Sequence, residues 1–319
     1  MQEVNISKLT IKDKNWLDNL DFSQLMDLRI DYAFKLLFAT GETLYLISLL
    51  NAIFASAGIV RTVQSLTILS PQLERQSAED KLSILDVYAK LDDGSEVLIE
   101  MHLYDMEELK YKTIHSWARV YNGGLKSGQD YSEQAPVICV SFMAKAVDAS
   151  EPNKIHKCCK IADIESKKIF TDALELHYIN MKAFVNAVGN KNMSKLEKWL
   201  AVMTEKDVTD KAIIKDVCAE EEDIAMAVAT LEKMSMDKIT RMAYEKRQQE
   251  IDMYYLRDDR KNKKIAELTQ INAEQEKINA EQAKVLAEKD KSIAEKESTM
   301  LNMSKIIEEY KAKFGEIVQ

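Results

Sequence analysis

The sequence predicts an α/β protein, with a mixed α+β sheet in its first part and helices alone after it. Two observations indicate the sheet: residues 82–104 alternate between apolar and polar side chains, and residues 136–143 form a continuous apolar run. A third observation indicates the helices, because no Gly or Pro occurs from Asn190 to Phe314. An all-β architecture is therefore excluded.

The elements before residue 82 are less sharply marked. Residues 1–27 are polar and mixed, and we expect a loosely packed lead-in. Residues 28–57 carry apolar side chains near a period of 3.6, which predicts one helix, and residues 60–70 predict a strand that Pro71 ends. The uncharged stretch 43–60 is nearly long enough to span a bilayer. Its polar residues and the lack of flanking basic clusters favour a buried helix and no membrane.

The clearest local structure is a β-hairpin with Gly94 in its loop. If the loop is the three residues 92–94, Asp86 faces Glu100 directly, with Cβ atoms about 4.5–5.5 Å apart. His102 lies two residues further along the same strand and therefore on the same face. The opposite face is wholly apolar and must pack on a core.

This hairpin brings together groups that could carry chemistry. Two carboxylates that close both stay ionised only if a cation lies between them. Mg²⁺ is the simplest such cation, because it takes one or two carboxylates together with waters and phosphate oxygens. Asp86 and Glu100 are the candidate metal ligands, and Lys81, Lys90 and Tyr104 are candidate helpers. The alternative is that both carboxylates are solvated residues on a polar hairpin face.

Three segments follow the hairpin. Residues 107–127 predict a helix broken at Gly123–Gly124, residues 136–143 a strand buried on both faces, and residues 174–181 a further strand. The segment 156–159, with the sequence HKCC, contains metal-ligand residue types. A helix edge with incidental thiols is favoured, because adjacent cysteines point in different directions and no second ligand pair follows.

The C-terminal segment, residues 261–319, contains a seven-residue repeat. Its first position holds Ile271, Ile278, Val285, Ser292, Thr299 and Ile306. An apolar period of seven predicts helices that wind left-handed about each other, and hence a homodimer. The seam is narrow and partly polar. The alternative is a single solvated helix held by Glu–Lys pairs three apart, or disorder.

Charge and cysteine content bound the function. The formal net charge is −9, and no part of the chain has the basic excess that accompanies avid, non-specific duplex binding. The four cysteines form no C-x-x-C pair, and the N-terminus lacks the pattern of a signal peptide. We therefore expect free thiols and a cytoplasmic protein.

Several ordered motifs resemble the recombination-promoting nuclease and transposase family of the PD-(D/E)xK nuclease superfamily. The first helix is similar to the family's D-x-x-F-K-x-x-F opening, and the hairpin resembles its central motif through SILDV at 83–87, Gly94 and IEM at 99–101. Further segments follow in the family's order: LLNAI at 49–53, WARVY at 117–121, GQDY at 128–131, PVI at 136–138, LELHY at 174–178 and WL at 199–200. The resemblance runs from about residue 28 to about residue 260.

The resemblance implies a restriction-endonuclease-like core over residues 28–185, followed by a helical extension over 186–260 and the heptad tail over 261–319. It implies an endonuclease that acts on DNA with Mg²⁺, or with Mn²⁺ in its place. Asp86 and Glu100 would hold the metal ion. Asn180 and the heptads replace a glutamate and a Gly-rich tail that the family commonly has.

Three further residues take their roles from the resemblance. His102 stands where the superfamily usually has lysine and this family glutamine. A neutral histidine there can accept a proton or bind a softer metal, and it can also mark a weakened site. In the superfamily a first-helix acid can approach the metals, which makes Asp31 and Lys35 candidate accessory residues. Their alternative is an ordinary intrahelical ion pair.

Three functions therefore remain open on the sequence. The first is a metal-dependent DNA endonuclease that promotes recombination or transposition-like exchange. The second is a catalytically weakened relative that binds DNA. The third is a coiled-coil scaffold for another protein, in which the tail carries the function.

Overall fold

The fold was described from a computed structural model, which places residues 15–71, 85–103, 108–125, 127–144, 146, 148–189 and 192–315. The chain divides into two units, Met1–Gln249 and Glu250–Gln319. The first unit contains a six-stranded mixed sheet flanked by helices, which confirms the predicted α/β class and is consistent with a restriction-endonuclease-like fold.

The sheet has the spatial order β1-β2-β3-β4-β6-β5. Its strands are β1 (Leu66–Ile68), β2 (Val87–Leu91), β3 (Glu96–His102), β4 (Val137–Met143), β5 (His156–Ala162) and β6 (Ile169–Asn180). The first three strands are antiparallel, β3, β4 and β6 run parallel, and β5 lies antiparallel to β6 at the edge. Every residue of β4 is buried, as its continuous apolar run predicts.

The helices surround this sheet and then continue alone. They are α1 (Asn15–Asn19), α2 (Asp31–Ala39), α3 (Thr43–Ser56), α4 (Leu109–Gly123), α5 (Met181–Ala187), α6 (Lys195–Met203), α7 (Ala212–Glu220), α8 (Glu222–Met236) and α9 (Lys238–Phe314). The structure thus confirms helices after residue 190, where the sequence has neither Gly nor Pro. It also confirms that α4 ends at Gly123, because the next residue is a second glycine.

The hairpin has the predicted register. Val87 pairs with Ile99, and Lys90 pairs with Glu96. Gly94 occupies the left-handed region at φ 87°, which only a glycine adopts without strain. The apolar face of the hairpin packs on α2. The other face, which carries Glu100 and His102, is covered by α4.

Burial by α4 excludes the solvated-face alternative. Leu98 on this face belongs to a buried cluster with two residues of the helix, Leu109 and Val120. Glu100 is only 7% exposed and His102 only 6% exposed, so neither is an ordinary surface residue. Buried polar groups of this kind need specific partners, which are described below.

The expectation of one helix over 28–57 was wrong. The chain forms two helices, α2 and α3, that meet at an angle of 106° across the residues 40–42. Gly41 lies in this bend, where a Cβ atom would collide with the carbonyl oxygen of Leu37. A glycine therefore allows the chain to turn back against its own helix.

Two further expectations need correction. The strand predicted over 60–70 is confined to β1, because the backbone N–H and C=O of Val63 bond to the side chain of Asn51 at 2.8 and 3.0 Å. The segment 156–159 is the edge strand β5 and not a helix edge. In the described residues no group of three His, Cys, Asp or Glu could hold a metal ion, so the reading of this segment as metal ligands is not supported.

The lead-in is more tightly packed than expected. Within its described part, Leu20, Phe22, Leu25 and Met26 are buried. The backbone N–H of Met26 donates a 2.9 Å hydrogen bond to the hydroxyl of Ser235 in α8. A short polar-looking segment therefore contributes apolar anchors to the core.

The residues before and after the sheet share one aromatic core. The Phe34 ring in α2 lies 5.9 Å from that of Phe142 in β4, and the Phe38 ring lies 5.6 Å from that of Trp199 in α6. The Trp199 indole N–H donates a 3.0 Å hydrogen bond to Ser48 in α3. This packing fixes α2, which carries two of the predicted accessory residues.

Helix α3 is buried, as expected. Among the described residues no single helix is long and apolar enough to cross a membrane, although the bent pair α2 and α3 passes that test of length and composition together. Four apolar residues of α3, Leu46, Leu49, Leu50 and Ile53, have no exposed surface. Such burial is typical of a core helix.

The heptad residues lie within α9. Ile271, Ile278 and Ile293 are each about half exposed. Ion pairs three residues apart join Lys264 to Glu267 at 2.9 Å and Glu281 to Lys284 at 4.0 Å. The helical state is confirmed, and its assembly into a coiled coil stays a prediction.

Candidate active site

Asp86 lies immediately before β2, with its side chain 13% exposed. Its Oδ2 accepts a 2.7 Å hydrogen bond from the backbone N–H of Met101, the residue after Glu100. Its Oδ1 lies 3.1 Å from the ammonium nitrogen of Lys35 in α2. Burial raises the pKa of Asp86, and the charge of Lys35 opposes that rise.

Glu100 lies in β3 under α4. Its Oε2 is 2.7 Å from the ammonium nitrogen of Lys112, and its Oε1 accepts a 3.2 Å hydrogen bond from the hydroxyl of Ser116. Burial pushes the pKa of Glu100 upward, but contacts with His102 and Lys112 outweigh burial and lower it to about 2. Glu100 is therefore ionised at any physiological pH.

His102 presents an unsatisfied nitrogen beside this carboxylate. Its Nε2 lies 3.3 Å from Glu100 Oε2, in a geometry that does not make a hydrogen bond, and it is buried without a hydrogen-bond partner in the described part of the chain. A buried polar atom without a partner costs free energy unless something else satisfies it.

The predicted accessory residues converge on Asp86. Lys35 lies closer to Asp86 than to Asp31, at 3.1 against 3.9 Å, so it is more than an intrahelical partner of Asp31. Asp31 is instead held by Arg247 in α9, whose Nε and Nη2 each lie 2.8 Å from one carboxylate oxygen. One chain of contacts therefore runs from Arg247 through Asp31 and Lys35 to Asp86.

The predicted helpers are not all brought to this site. Lys90 lies near the other end of β2 and is exposed, four residues from Asp86 and hence about 13 Å along the strand. The prediction that Lys90 assists Asp86 is therefore wrong. Lys81 and Tyr104 lie outside the described residues.

Sequence reasoning missed Lys112, Ser116 and Arg247. A signal for the first two was present in α4, where the small polar residues Thr113 and Ser116 occupy the buried stripe of an amphipathic helix. Polar residues on a buried stripe indicate polar partners. The partner of Ser116 is Glu100, whereas the Thr113 hydroxyl donates to the Leu109 carbonyl. Arg247 gave no such signal, because its contact with Asp31 joins residues 216 apart in the chain.

The donor set was compared with the needs of a divalent ion. Asp86 and Glu100 supply oxygen ligands and His102 supplies an unpartnered nitrogen, although no three such residues converge into a ready-made cluster in the described chain. Mg²⁺ commonly binds through one or two carboxylates and otherwise keeps its waters. Each carboxylate is now balanced by an ammonium group, from Lys35 or Lys112. The two carboxylates are thus of the ligand type that a divalent cation takes, but in the described chain the cation would have to displace both ammonium groups and complete its shell with water.

A second polar row lies at the sheet edge. The hydroxyl of Ser56 is 3.0 Å from His156 Nδ1, His156 Nε2 is 2.9 Å from His177 Nδ1, and His177 Nε2 is 2.8 Å from Glu175. His177 and Glu175 are buried, and Glu175 also contacts the cations of Arg61 and Lys160. This row satisfies buried polar groups around an ionised carboxylate, whose pKa is lowered to about 2 against the effect of burial by His177 and Lys160.

Comparison with known proteins identifies the family of the chain. A family model described as PD-(D/E)XK nuclease family transposase matches residues 28–260. No curated protein and no solved structure matches the chain. The matched segment contains Asp31, Lys35, Asp86, Glu100 and His102. Nucleases with this motif generally use divalent metal ions. On this match the chain belongs to the PD-(D/E)XK nuclease family of transposases.

Proposed function

We propose that the protein is a metal-dependent endonuclease that hydrolyses phosphodiester bonds in DNA. The observation that carries the proposal is the pair Asp86 and Glu100, one largely and one fully buried carboxylate within the segment that the family model matches, together with the unpartnered nitrogen of His102 beside Glu100. Each carboxylate contacts a partly exposed lysine, whose place a divalent cation could take.

The residues divide the work of the reaction. Asp86 and Glu100 would hold the divalent ion, Mg²⁺ or Mn²⁺. When bound, such an ion lowers the pKa of water and neutralises charge on a phosphate. His102 accepts the proton that the attacking water loses. The new bond joins the water oxygen to phosphorus, the bond to one ester oxygen breaks, and that oxygen takes a proton from solvent. One phosphomonoester and one hydroxyl end result.

The electrostatics of the chain suit local rather than extended contact with DNA. The net charge is −9, so a long cationic groove is not the basis of binding. Positive charge at the reacting phosphate would come from three local sources. These are Lys35 at Asp86, Lys112 at Glu100 and the divalent ion. We therefore expect cleavage to depend strongly on the metal ion and DNA affinity without it to be low.

We further propose that α9 dimerises the protein through its heptads. Half-exposed isoleucines at the first heptad position support this, since a second copy would bury them. A dimer would carry two sites, as cleavage of both strands in recombination or transposition requires. Sedimentation should show a dimer for the full chain and a monomer for a chain ending at Asn262. A dimeric truncated chain would contradict this role of the tail.

We place the protein in the cytoplasm. All four cysteines, Cys139, Cys158, Cys159 and Cys218, are free thiols, which a reducing compartment preserves.

The competing proposal is that the protein is a catalytically weakened nuclease relative, which binds DNA or assembles partners. Its supporting observation is His102 at a position where the family has glutamine and the superfamily lysine.

The endonuclease proposal is tested by cleavage of supercoiled plasmid in Mg²⁺ or Mn²⁺. We expect wild type to nick and linearise the plasmid and Glu100→Gln to lose at least about a hundredfold in rate, since one charged ligand is removed. Glu96→Gln is the matched control, because Glu96 lies on the same strand and contacts Tyr88 instead. Equal cleavage by wild type and Glu100→Gln would overturn the proposal.

A further inference from the structure

The motif lacks its usual lysine, yet an ammonium group lies at the motif glutamate. His102 occupies the lysine position in β3. Lys112 comes from the next element, α4, and places its Nζ 2.7 Å from Glu100 Oε2. The two side chains therefore reach the same carboxylate from different elements, one as an imidazole and one as a cation.

We propose that Lys112 is the catalytic cation of this enzyme, which contacts the phosphate at the scissile bond and stabilises the charge that develops there. The inference rests on the proposed endonuclease function and adds a residue to it. Water attacks phosphorus and the ester oxygen leaves as described above. Lys112 keeps its proton throughout and acts through charge and hydrogen bonds.

The position of Lys112 suits a contact with substrate. Its side chain is 42% exposed, so it lies between the buried Glu100 and solvent. An ammonium has three N–H donors. Its one described carboxylate partner, Glu100, leaves donors free for phosphate oxygens.

The helix backbone that carries Lys112 is held against the sheet, and the ion pair with Glu100 directs the ammonium. Neighbouring residues Leu109, Thr113 and Ser116 are buried against the sheet, and the Thr113 hydroxyl donates a 2.9 Å hydrogen bond to the Leu109 carbonyl. A preorganised donor at a site of developing charge contributes most to rate, because it needs no rearrangement during reaction.

Lys35 is the weaker candidate for the same role. It lies 3.1 Å from Asp86 and 3.9 Å from Asp31, so two carboxylates already share its ammonium. Its side chain is also less exposed, at 31%. We assign it to balancing the charge of Asp86.

The competing explanation is that Lys112 is only an ion-pair partner of Glu100. A partly exposed ion pair typically contributes about 0–1 kcal/mol to stability and nothing to turnover. The two explanations differ in what loss of the cation does. Loss of a catalytic cation lowers kcat, whereas loss of a simple ion-pair partner changes only how readily a metal ion binds Glu100.

The test compares Lys112→Gln and Lys112→Arg with Lys110→Gln, an exposed lysine on the same helix that carries the same charge. We expect Lys112→Gln to lose at least about a hundredfold in kcat with KM for plasmid within about threefold of wild type, as for loss of one transition-state donor. Lys112→Arg keeps the charge and should recover most of that loss. Lys110→Gln should retain kcat.

A second readout needs no turnover. Mn²⁺ is titrated calorimetrically into each protein without DNA. Because the ammonium competes with the ion for Glu100, Lys112→Gln should bind Mn²⁺ at least about threefold more tightly than wild type. Glu100→Gln should bind it much more weakly.

Each outcome decides between the explanations. Unchanged kcat in Lys112→Gln, with wild type active, overturns the role of Lys112 and leaves the endonuclease intact. A rise in Mn²⁺ affinity together with unchanged kcat would assign Lys112 as an ion-pair partner of Glu100 only. A wild type that cuts no DNA with either metal overturns the endonuclease function together with the catalytic role of Lys112.

Discussion

Arg247 of α9 donates two hydrogen bonds of 2.8 Å to the carboxylate of Asp31, one from Nε and one from Nη2. Asp31 in turn lies 3.9 Å from Lys35, whose ammonium also contacts the motif residue Asp86. Paired hydrogen bonds from a guanidinium to a carboxylate fix both position and orientation. Arg247 therefore positions Asp31 so that Lys35 is left to neutralise Asp86.

Removal of Arg247 tests this positioning role. In Arg247→Ala, Asp31 loses its two hydrogen bonds from the guanidinium and competes with Asp86 for the ammonium of Lys35. The kcat for plasmid cleavage should therefore fall about threefold to tenfold while KM changes little. The free energy of unfolding should drop by only about 1 kcal/mol, because the pair is partly exposed. The neighbouring exposed residue gives the control Lys246→Ala, which should match wild type. An Arg247→Ala enzyme with normal kcat would refute the positioning role.

His102 is expected to act as the proton acceptor. His102→Gln removes the basic nitrogen but keeps a side chain of similar reach, so kcat should fall by about a hundredfold, as for loss of a general base. The plasmid-cleavage rates of wild type and His102→Gln at one fixed pH give this ratio. If His102→Gln instead cuts faster than wild type, the natural site is a weakened one and the binding or scaffold function gains.

The bend at Gly41 should tolerate no side chain. A Cβ atom there would meet the backbone oxygen of Leu37, and backbone cannot move aside as a flexible side chain can. Gly41→Ala should therefore lower the free energy of unfolding by about 1–3 kcal/mol, a typical cost of overpacking. Gly123→Ala is the control, since nothing lies within 4 Å of its added atom. Denaturant unfolding of the two variants measures the difference, and equal stabilities would show that the bend is not sterically fixed.

Acid should destabilise the fold through His156. Burial, together with the charges of His177 and Lys154, lowers the pKa of His156 from 6.5 to about 4. Between these values the unfolded chain binds the proton and the folded chain does not, so stability falls as pH falls from 6.5 to 4. We expect a loss of roughly 2 kcal/mol, because one pKa unit corresponds to about 1.4 kcal/mol and the half-buried ring is partly screened.

The variant His156→Gln isolates this contribution. Its loss of stability over the same pH range should be smaller than that of wild type, whereas His115→Gln, which changes an exposed histidine, should follow wild type. Glu100 and Glu175, with pKa values near 2, lose their own contributions only below pH 4.5. A His156→Gln curve parallel to that of wild type would contradict the assignment.

The sequence alone was sufficient wherever the determining contacts are local. Apolar and polar side chains alternate on either side of Gly94, and this pattern predicts that Val87 pairs with Ile99. The prediction is correct because the register of a hairpin depends on its loop and on which face is apolar. The absence of breakers gave the helices after residue 190. The assignment of Asp86 and Glu100 as metal ligands rests on that register and on the resemblance, and it stays a prediction.

The features that the sequence does not predict depend on contacts between elements that are distant in the chain. Lys112 reaches Glu100 only because α4 packs over β3, and Arg247 reaches Asp31 only because α9 passes α2. The bend at Gly41 and the edge strand at 156–162 likewise depend on packing that overrides local periodicity. Periodicity predicts which residues face inward, and it does not predict which partner they find there.

Plasmid cleavage by an Asp86 variant shows whether Asp86 and Glu100 hold a divalent ion for DNA cleavage. Supercoiled plasmid is incubated with Mg²⁺ or Mn²⁺ and wild type, Asp86→Asn, or Asp92→Asn, the last being an exposed acid of the same hairpin. We expect cleavage by wild type and Asp92→Asn that stops when the metal is chelated, and none by Asp86→Asn. Cleavage by Asp86→Asn at the wild-type rate, or cleavage that survives chelation, would contradict it.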